Sequence, residues 1–433
     1  MRFDTIFRGV PRYALTTATT DAASADDRYW RAVTMAPLQQ RATLDATGLL
    51  NGHLEAHLSA WGAIDLTAPA TDGRIAGDVA VAWMKYRGGP VGLWGGRRFL
   101  PWGAPGGVHV DGLGGELYFG SGITFEAIVG RPVTPTYAPS LAETQSQCHG
   151  TCGPWLGPRP GFEGVTAAGG ARVAWSAPGL ASAAVSFLEH WAQGIPVRRV
   201  IEGSFVAAPL RWLDARGTLA WDMLGLGVMQ ADLDVAAWLG RRLELDVGYG
   251  HLNPQLLIPR YSILSVFVTR EFDEGRARVA WRIVPMIQVG VEGAMQHFDV
   301  PGVDPSQYGP QWGSRAEVWV RVNSTDRRAQ FLAMASHRDD GSRRMTLLRV
   351  AGSFPIFRDY LAALEAAVAL DNDDFTAART SWYGRASVDG PLTPALRLGA
   401  SIDGVRSPIA ASELRGMVHL TARLDYPAGA RQR

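Results

Sequence analysis

The chain has 433 residues, and its 42 basic and 41 acidic side chains leave a formal net charge of +1. Such a balance argues against a protein that binds nucleic acid through a basic surface. The longest nearly apolar run, residues 361–370, is interrupted by Glu365 and is about half as long as a membrane-spanning helix. Composition therefore excludes a helical membrane protein, and two cysteines are too few for a disulfide scaffold.

The N-terminal segment is the first place to look for a targeting signal. Residues 1–30 contain Arg2, Asp4, Arg8 and Arg12, and no apolar stretch of about seven residues follows them. No signal peptide is therefore expected in this chain. If the natural product begins at Met1, a soluble all-β protein becomes the stronger alternative to an exported one.

A two-residue period runs along most of the chain. In residues 211–223, apolar Leu213, Leu219 and Trp221 alternate with Asp214 and Arg216, which predicts a strand rather than a helix. The same alternation recurs in residues 227–235, 243–249, 276–283, 287–296, 316–322, 396–403 and 418–424. Turn formers such as Asp72-Gly73 separate these segments, and no linker interrupts them. The sequence therefore predicts a single domain over residues 1–433.

The length of these segments distinguishes two architectures. Strands of soluble sandwiches average about five or six residues, whereas these segments of about ten residues suit tilted strands that cross a bilayer. We therefore predict one transmembrane antiparallel β-barrel of about 18 strands, within a range of about 16 to 22. Residues 133–166 are predicted to form a long extracellular loop, opposite short turns at the other end.

Tryptophans lie near the ends of several predicted strands. Aromatic residues form girdles at both interfaces of membrane barrels, so these residues favour the barrel. Ordinary core positions are the alternative for a chain with 15 Trp. The predicted girdle residues are Trp83, Trp94, Trp221, Trp238, Trp281 and Trp382.

One face of the predicted strands carries large charged side chains. Charges are costly on a lipid-facing surface, so we predict that this face lines a wet lumen. Guanidinium groups there would suit carboxylates, and aromatic rings would stack on sugars. Pairing of Arg with acids on adjacent strands, which would only stiffen the barrel, is the alternative for any one residue. The predicted pore-lining residues are Arg216, Arg242, Arg276, Arg278, Arg282, Arg315, Arg321, Arg379, Arg385, Arg397, Arg423, Asp214, Asp232, Asp234, Glu244, Asp246, Glu292 and Glu317.

The cysteines lie four positions apart in the predicted long loop. Cys148 and Cys152 are expected to form a local disulfide, and a metal site with His149 is the alternative, although no fourth ligand is near. Neither a Gly-x-Ser-x-Gly elbow, a His-Glu-x-x-His motif nor a phosphate-binding loop is present. The chain is therefore expected to be no enzyme and to need no cofactor or metal. A Ser–His site assembled across strands leaves no linear signature and is the alternative.

One stretch resembles a known family. Residues 93–99 contain the sequence Leu-Trp-Gly-Gly-Arg-Arg-Phe, and Asp111-Gly112-Leu113 and residues 129–132 follow. This arrangement is similar to the Leu-Gly-Arg-Gln and Asp-Gly-Leu stretch of the alginate-export family and of polysaccharide-secretion porins, with Arg98 at the Gln position. The resemblance covers about a tenth of the chain. It implies an outer-membrane barrel that exports an exopolysaccharide, with Arg97, Arg98 and Asp111 as a structural or pore-lining cluster.

Three functions follow from this reading. The first is a Gram-negative outer-membrane channel that exports a polysaccharide, expected to be acidic, through an Arg-rich lumen. The second is a diffusion porin for small solutes, with residues 133–166 folded into the lumen. The third is a structural barrel closed by its own ion pairs. The expected partners are membrane lipid, the polysaccharide or small solute and, for export, periplasmic polysaccharide-export proteins, with no role for nucleic acid.

Overall fold

The fold is known from a computed structural model. The residues that it describes are 2–15, 30–35, 37–66, 75–102, 107–133, 165–257, 271–299, 312–326, 328–340, 343–357, 359–373, 376–406 and 413–423. Within them, no helix is long and apolar enough to cross a membrane.

The described residues form 23 strands and two four-residue helices, α1 (Leu49–Gly52) and α2 (Pro254–Leu257). The strands are β1 (Arg2–Leu15), β2 (Trp30–Met35), β3 (Pro37–Gly48), β4 (Leu54–Asp65), β5 (Ile75–Gly88), β6 (Val91–Leu100), β7 (Val108–Tyr118), β8 (Ile123–Val133), β9 (Val165–Ala177), β10 (Ala181–Ala192), β11 (Ile195–Leu210), β12 (Leu213–Asp222), β13 (Gly227–Leu239), β14 (Leu243–Leu252), β15 (Glu271–Val284), β16 (Ile287–Asp299), β17 (Trp312–Asn323), β18 (Gln330–Asp339), β19 (Arg343–Phe357), β20 (Tyr360–Asp373), β21 (Thr376–Thr393), β22 (Leu396–Arg406) and β23 (Glu413–Arg423).

The strands form one antiparallel sheet whose pairing returns to its first strand. From β3 to β23 each strand pairs with the next along the chain. Ile6 of β1 faces Gln39 of β3 on one side and His419 of β23 on the other. Strand β2 pairs with β1 in the register that β3 continues. The all-β antiparallel prediction is confirmed. With β2 and β3 taken as one, 22 described strands make the circuit, at the top of the predicted range.

The two faces of this sheet differ in chemistry. Register places Arg216 opposite Asp234, and Arg276 opposite Ala294, on one side, which we call the polar face. The side chains between them point the other way and are large and apolar, as at Leu219, which is 49% exposed, and Val291, which is 54% exposed. We call that side the apolar face. The alternation predicted from the sequence is confirmed in these strands.

The two ends of the sheet have different connections. At one end, the connections that join described strands span at most six residues, as in residues 89–90, 240–242 and 324–329; we call it the turn end. Positive φ angles of Gly89 (59°) and Gly240 (68°) make two of these tight turns possible. The opposite end carries the long connections, including residues 16–29, 134–164, 253–270 and 300–311; we call it the loop end. The connection predicted at 133–166 thus joins β8 to β9 at the loop end, although residues 134–164 lie outside the described part.

The tryptophans are divided between the faces. Trp221, Trp281 and Trp382 lie on the apolar face and are more than one-third exposed, in keeping with a girdle. Trp83, Trp94 and Trp238 take register positions on the polar face, and Trp94 is buried. For those three, the girdle prediction was wrong, because a tryptophan near a strand end gives the same signal whichever way it points.

Candidate functional site on the polar face

The polar face gathers the charged residues singled out by the sequence. Consecutive pairings run from Arg216 to Asp234, Gly248, Arg276, Ala294 and Arg315, so one row crosses six strands on a single face. The other predicted pore-lining residues that lie in strands take register positions on the same polar face. Arg242 lies in the turn before β14. Only the backbone of Arg379 is described.

A ladder of ion pairs links β12 to β17. Asp234 accepts hydrogen bonds from Arg276 and from Arg216, the latter at 3.2 Å between Nε and Oδ2. Arg315 donates from Nη2 to Glu292 at 2.8 Å and to Glu274 at 3.2 Å. Because each of these charges meets an opposite one that lies one or two strands away, these residues stabilise the sheet and leave little charge free for a solute.

Further pairs extend the ladder. Arg278 lies 3.6 Å from Glu244, and Arg397 pairs with Asp389. Together with the rungs above, they give Arg216, Arg276, Arg278, Arg315 and Arg397 the acidic partners that the stiffening alternative predicts.

Five of the predicted arginines stand apart from this ladder. Within the described part of the chain, no ion pair is found for Arg242, Arg282, Arg321, Arg385 or Arg423. Arg385 lies opposite Glu365 of β20 and Asp403 of β22 in register, but Glu365 accepts a hydrogen bond from Arg349 at 2.8 Å, and no ion pair joins Arg385 to either acid among the described residues. These guanidinium groups are therefore available to an anion.

Arg321 and Arg385 line the same cavity. It measures about 640 Å³ and lies against the polar face of β17 to β21, near the turn end. Ser353, Ser387 and Gln330 add hydroxyl and amide groups to its wall. Glu365 also lines the cavity, and its carboxylate is bound to Arg349. The two forked cations and the neutral hydrogen-bonding groups can hold a carboxylate or phosphate and the hydroxyls of an attached sugar.

A buried aromatic ring lies beside Arg321, toward β15. The Trp319 ring lies between two guanidinium groups, with the centre of its ring 5.3 Å from Cζ of Arg321 and 5.6 Å from Cζ of Arg278. Trp319 lies flat against the sheet because Gly290 faces it, and a Cβ at that position would overlap the ring. The ring and the arginines hold one another in place.

Sequence analysis missed a second charged cluster, on β5 to β8. Lys85, the single lysine of the chain, donates to Glu116 at 2.6 Å and to Tyr118 at 3.1 Å. Arg98 donates to Glu116 at 3.1 Å, and its guanidinium lies 5.0 Å from the centre of the Trp94 ring. One lysine among 41 arginines was the available signal, but neither its face nor its partners could be inferred from spacing.

An apolar cluster also covers part of the polar face. Leu100, Val110, Ile128 and Leu188 are buried there together with Trp102, which follows the end of β6. The Trp102 indole donates to Glu126 at 3.1 Å and is 4% exposed. The chain therefore turns inward after β6, over the same face that carries the charges.

The cluster implied by the family resemblance is split between the faces. Arg97 donates from Nε and Nη2 to the two carboxylate oxygens of Asp111, at 2.6 and 2.8 Å. Their register positions match that of Leu113, which is 65% exposed on the apolar face. Arg98, the next residue, lies on the polar face with Glu116. The three residues therefore form two separate groups, with Arg97 and Asp111 on the apolar face and Arg98 on the polar face.

The cysteine loop lies outside this description. Cys148 and Cys152 fall in residues 134–164, so the disulfide stays a prediction. Among the described residues, no group of three or more His, Cys, Asp or Glu side chains is arranged to hold a metal ion.

Comparison with known proteins gives a fold-level likeness only. No family model matches the chain, and no curated protein does. Among solved structures, OpdK of Pseudomonas aeruginosa with vanillate has 7% identity, a TM-score of 0.45 and 98% coverage of both chains. Wzi, a carbohydrate-binding β-barrel of Escherichia coli involved in group 1 capsule assembly, has 12% identity, 98% coverage of this chain and 84% of its own, and a TM-score of 0.38. A bacterial polysaccharide outer-membrane secretin has 11% identity, 60% and 91% coverage and a TM-score of 0.36. These are outer-membrane proteins, but likeness at this level places the chain in no family, alginate export included.

Proposed function

We propose that the chain is an outer-membrane channel that exports a polysaccharide, and that the polar face lines its lumen. An exposed apolar face with few charges suits lipid, whereas charges of this number require water. Short turns at one end and long connections at the other match the periplasmic and extracellular sides of outer-membrane barrels. The turn end would then face the periplasm.

The observation that carries an acidic sugar polymer as substrate is the cavity lined by Arg321 and Arg385. Neither guanidinium has an acidic partner among the described residues, and the buried Trp319 ring packs beside Arg321 and holds its guanidinium in place. Carboxylates bind to guanidinium forks, and sugar hydroxyls bind to hydroxyl and amide groups such as those of the cavity wall. At the periplasmic end, such a site would meet a polymer before it enters the channel, where periplasmic polysaccharide-export proteins would deliver it.

A diffusion porin for small solutes is the second candidate, and the position of Trp102 favours it. The chain after β6 covers part of the polar face and would narrow the lumen. A narrow lumen passes small solutes and restricts polymers.

Conductance in planar bilayers separates these functions. For a polysaccharide channel, we expect stable conductance that oligogalacturonate blocks from the turn side and that neutral maltooligosaccharide leaves unchanged. Conductance indifferent to both sugars would support the small-solute porin. Folded protein without conductance would leave only a structural barrel, closed by the ion-pair ladder.

A further inference from the structure

The apolar face contains a hollow near the turn end. Its volume is about 790 Å³, and the large apolar side chains of its wall are Phe331, Val350, Phe354, Leu364 and Met286. These five side chains are 39–53% exposed, so nothing in the described chain covers them. Asn323, Gln330, Ser353, Glu365 and Arg385 line both this hollow and the cavity on the polar face, because the two lie on either side of the same strands. The register positions of Phe331, Val350, Phe354 and Leu364 are opposite to those of Arg321 and Arg385, so these apolar side chains point away from the proposed lumen.

A glycine creates the floor of this hollow. Gly352 lies between Phe331 and Leu364 in register, and a Cβ at this position would lie 3.4 Å from the carbonyl oxygen of Gln330. That distance is tolerable, so the backbone geometry does not require a glycine here. Because Gly352 has no side chain, a depression remains among its larger apolar neighbours.

The rim of the hollow at the turn end is polar and carries a cation. Ser324 and Ala329 line the rim, and Arg328 adjoins Ala329 in the same turn. The Arg328 side chain is 57% exposed, and its Nη2 lies 3.8 Å from Asp359, a long contact that leaves the other guanidinium donors free. The feature thus combines an apolar depression with a positive charge at the level where a membrane interface would lie.

We propose that this hollow binds one phospholipid of the periplasmic leaflet, with an acyl chain over Gly352 and the phosphate at Arg328. The proposal rests on the membrane placement of the proposed function and on no property of the lumen. Burial of apolar surface by an acyl chain is favourable, and a chain that fills the hollow contacts its wall more closely than lipids that pass over it. The guanidinium pairs with the phosphate through its fork.

Lipid retention tests this site. The protein is reconstituted in vesicles of phosphatidylethanolamine and phosphatidylglycerol, extracted in detergent, and examined by native mass spectrometry for bound phospholipid. The Gly352→Leu variant fills the hollow, and Gly293→Leu is its control, because Gly293 is exposed on the same face of β16 with open space at its Cβ. Arg328→Ala removes the cation, and Arg241→Ala is its control in another turn at the same end.

We expect one retained phospholipid in the wild type and in both controls. Gly352→Leu should lower retention at least about tenfold, which corresponds to about 1.4 kcal/mol of binding free energy, and Arg328→Ala should lower it less. Retention by Gly352→Leu at the wild-type level would overturn the site, and so would an equal loss in Gly293→Leu. Conductance of the same preparations tests the channel separately. A protein that conducts but retains no phospholipid would contradict only the lipid site. A protein that retains the phospholipid but does not conduct would contradict only the proposed transport function.

Discussion

Both carboxylate oxygens of Asp111 accept hydrogen bonds from Arg97, at 2.6 and 2.8 Å, on the face of the sheet that carries most of the exposed apolar side chains. A third bond, of 3.2 Å, joins Arg97 to Asp78. A charged pair can lie next to lipid only if each charge stays neutralised.

Removing one partner of this pair should therefore destabilise the barrel. We expect Asp111→Asn to lower the free energy of unfolding in lipid vesicles by about 1 kcal/mol or more, since Arg97 then keeps Asp78 as its one acidic partner among the described residues, beside the carbonyl oxygen of Val79. The double variant Arg97→Leu with Asp111→Leu removes both charges and should recover most of that loss. Urea unfolding followed by tryptophan fluorescence gives both values. Equal stability of Asp111→Asn and wild type would contradict this placement of the pair.

The two unpaired arginines should control binding of an acidic sugar. We expect the double variant Arg321→Gln with Arg385→Gln to weaken block by oligogalacturonate about tenfold or more, because both forks at the cavity are lost. Arg216→Gln is the matched control, since Arg216 already pairs with Asp234 in the ladder. Block constants from single-channel recordings provide the comparison. A similar weakening in the control would mean that overall lumen charge, and not this cavity, controls binding.

Trp319 needs the space that Gly290 leaves. A Cβ at 290 would overlap its ring, so Gly290→Ala should displace the ring and lower stability by about 1 to 3 kcal/mol. Gly293→Ala, three residues along β16, meets open space and should change stability little. Urea unfolding measures both variants. Equal effects at the two positions would contradict the close packing of Trp319.

Much of this arrangement follows from the sequence. The alternation at 211–223 and 287–296 predicted β12 and β16 and placed Arg216 and Glu292 on one face, because side chains alternate strictly along a strand. Which arginine finds an acid depends on register between strands, and the two-residue alternation within one strand carries no such information. Arg315 and Arg321 therefore look alike in sequence but differ in partners.

Other features depend on contacts that no local pattern encodes. Trp102 turns inward because Glu126 and Leu188, on other strands, receive it. Arg97 and Arg98 were grouped through a motif, although consecutive strand residues face opposite sides. The strand number exceeded 18 because many connections at the turn end are very short, so each strand takes fewer residues than assumed.

The inward turn after β6 should limit conductance. We expect Trp102→Ala to raise single-channel conductance, because it empties volume over the polar face, and to lower stability by about 3 kcal/mol. Trp312→Ala is the control, since Trp312 is 58% exposed at the start of β17. Conductance that does not rise in the Trp102 variant, while the control behaves as wild type, would show that this segment does not narrow the lumen.

The turn between β17 and β18 supplies a prediction about pH. Ser324 donates its hydroxyl hydrogen bond to Asp326, and this bond holds the pKa of the Asp326 carboxyl below its ordinary value. A lowered pKa means that the bond contributes to the order of the turn above the ordinary pKa of Asp and that the contribution is lost as pH falls through the lowered value. Carbon NMR titration should show this midpoint, and Ser324→Ala should raise it. An unchanged midpoint in Ser324→Ala would remove the hydroxyl as the cause.

The central claim is that the polar face lines water and the apolar face contacts lipid, and cysteine labelling along β16 tests it most directly. Single cysteines are placed at Gln288, Val289, Val291, Glu292, Gly293 and Met295 in a protein whose Cys148 and Cys152 are changed to serine, and a membrane-impermeant thiol reagent is applied to reconstituted vesicles. Positions 290 and 294 are left unchanged, because the Trp319 ring covers Gly290 and Ala294 is buried. We expect labelling at 288 and 292 and protection at 289, 291, 293 and 295, following the pairings of β16 with β15 and β17. Uniform labelling, or protection of the even positions, would contradict it.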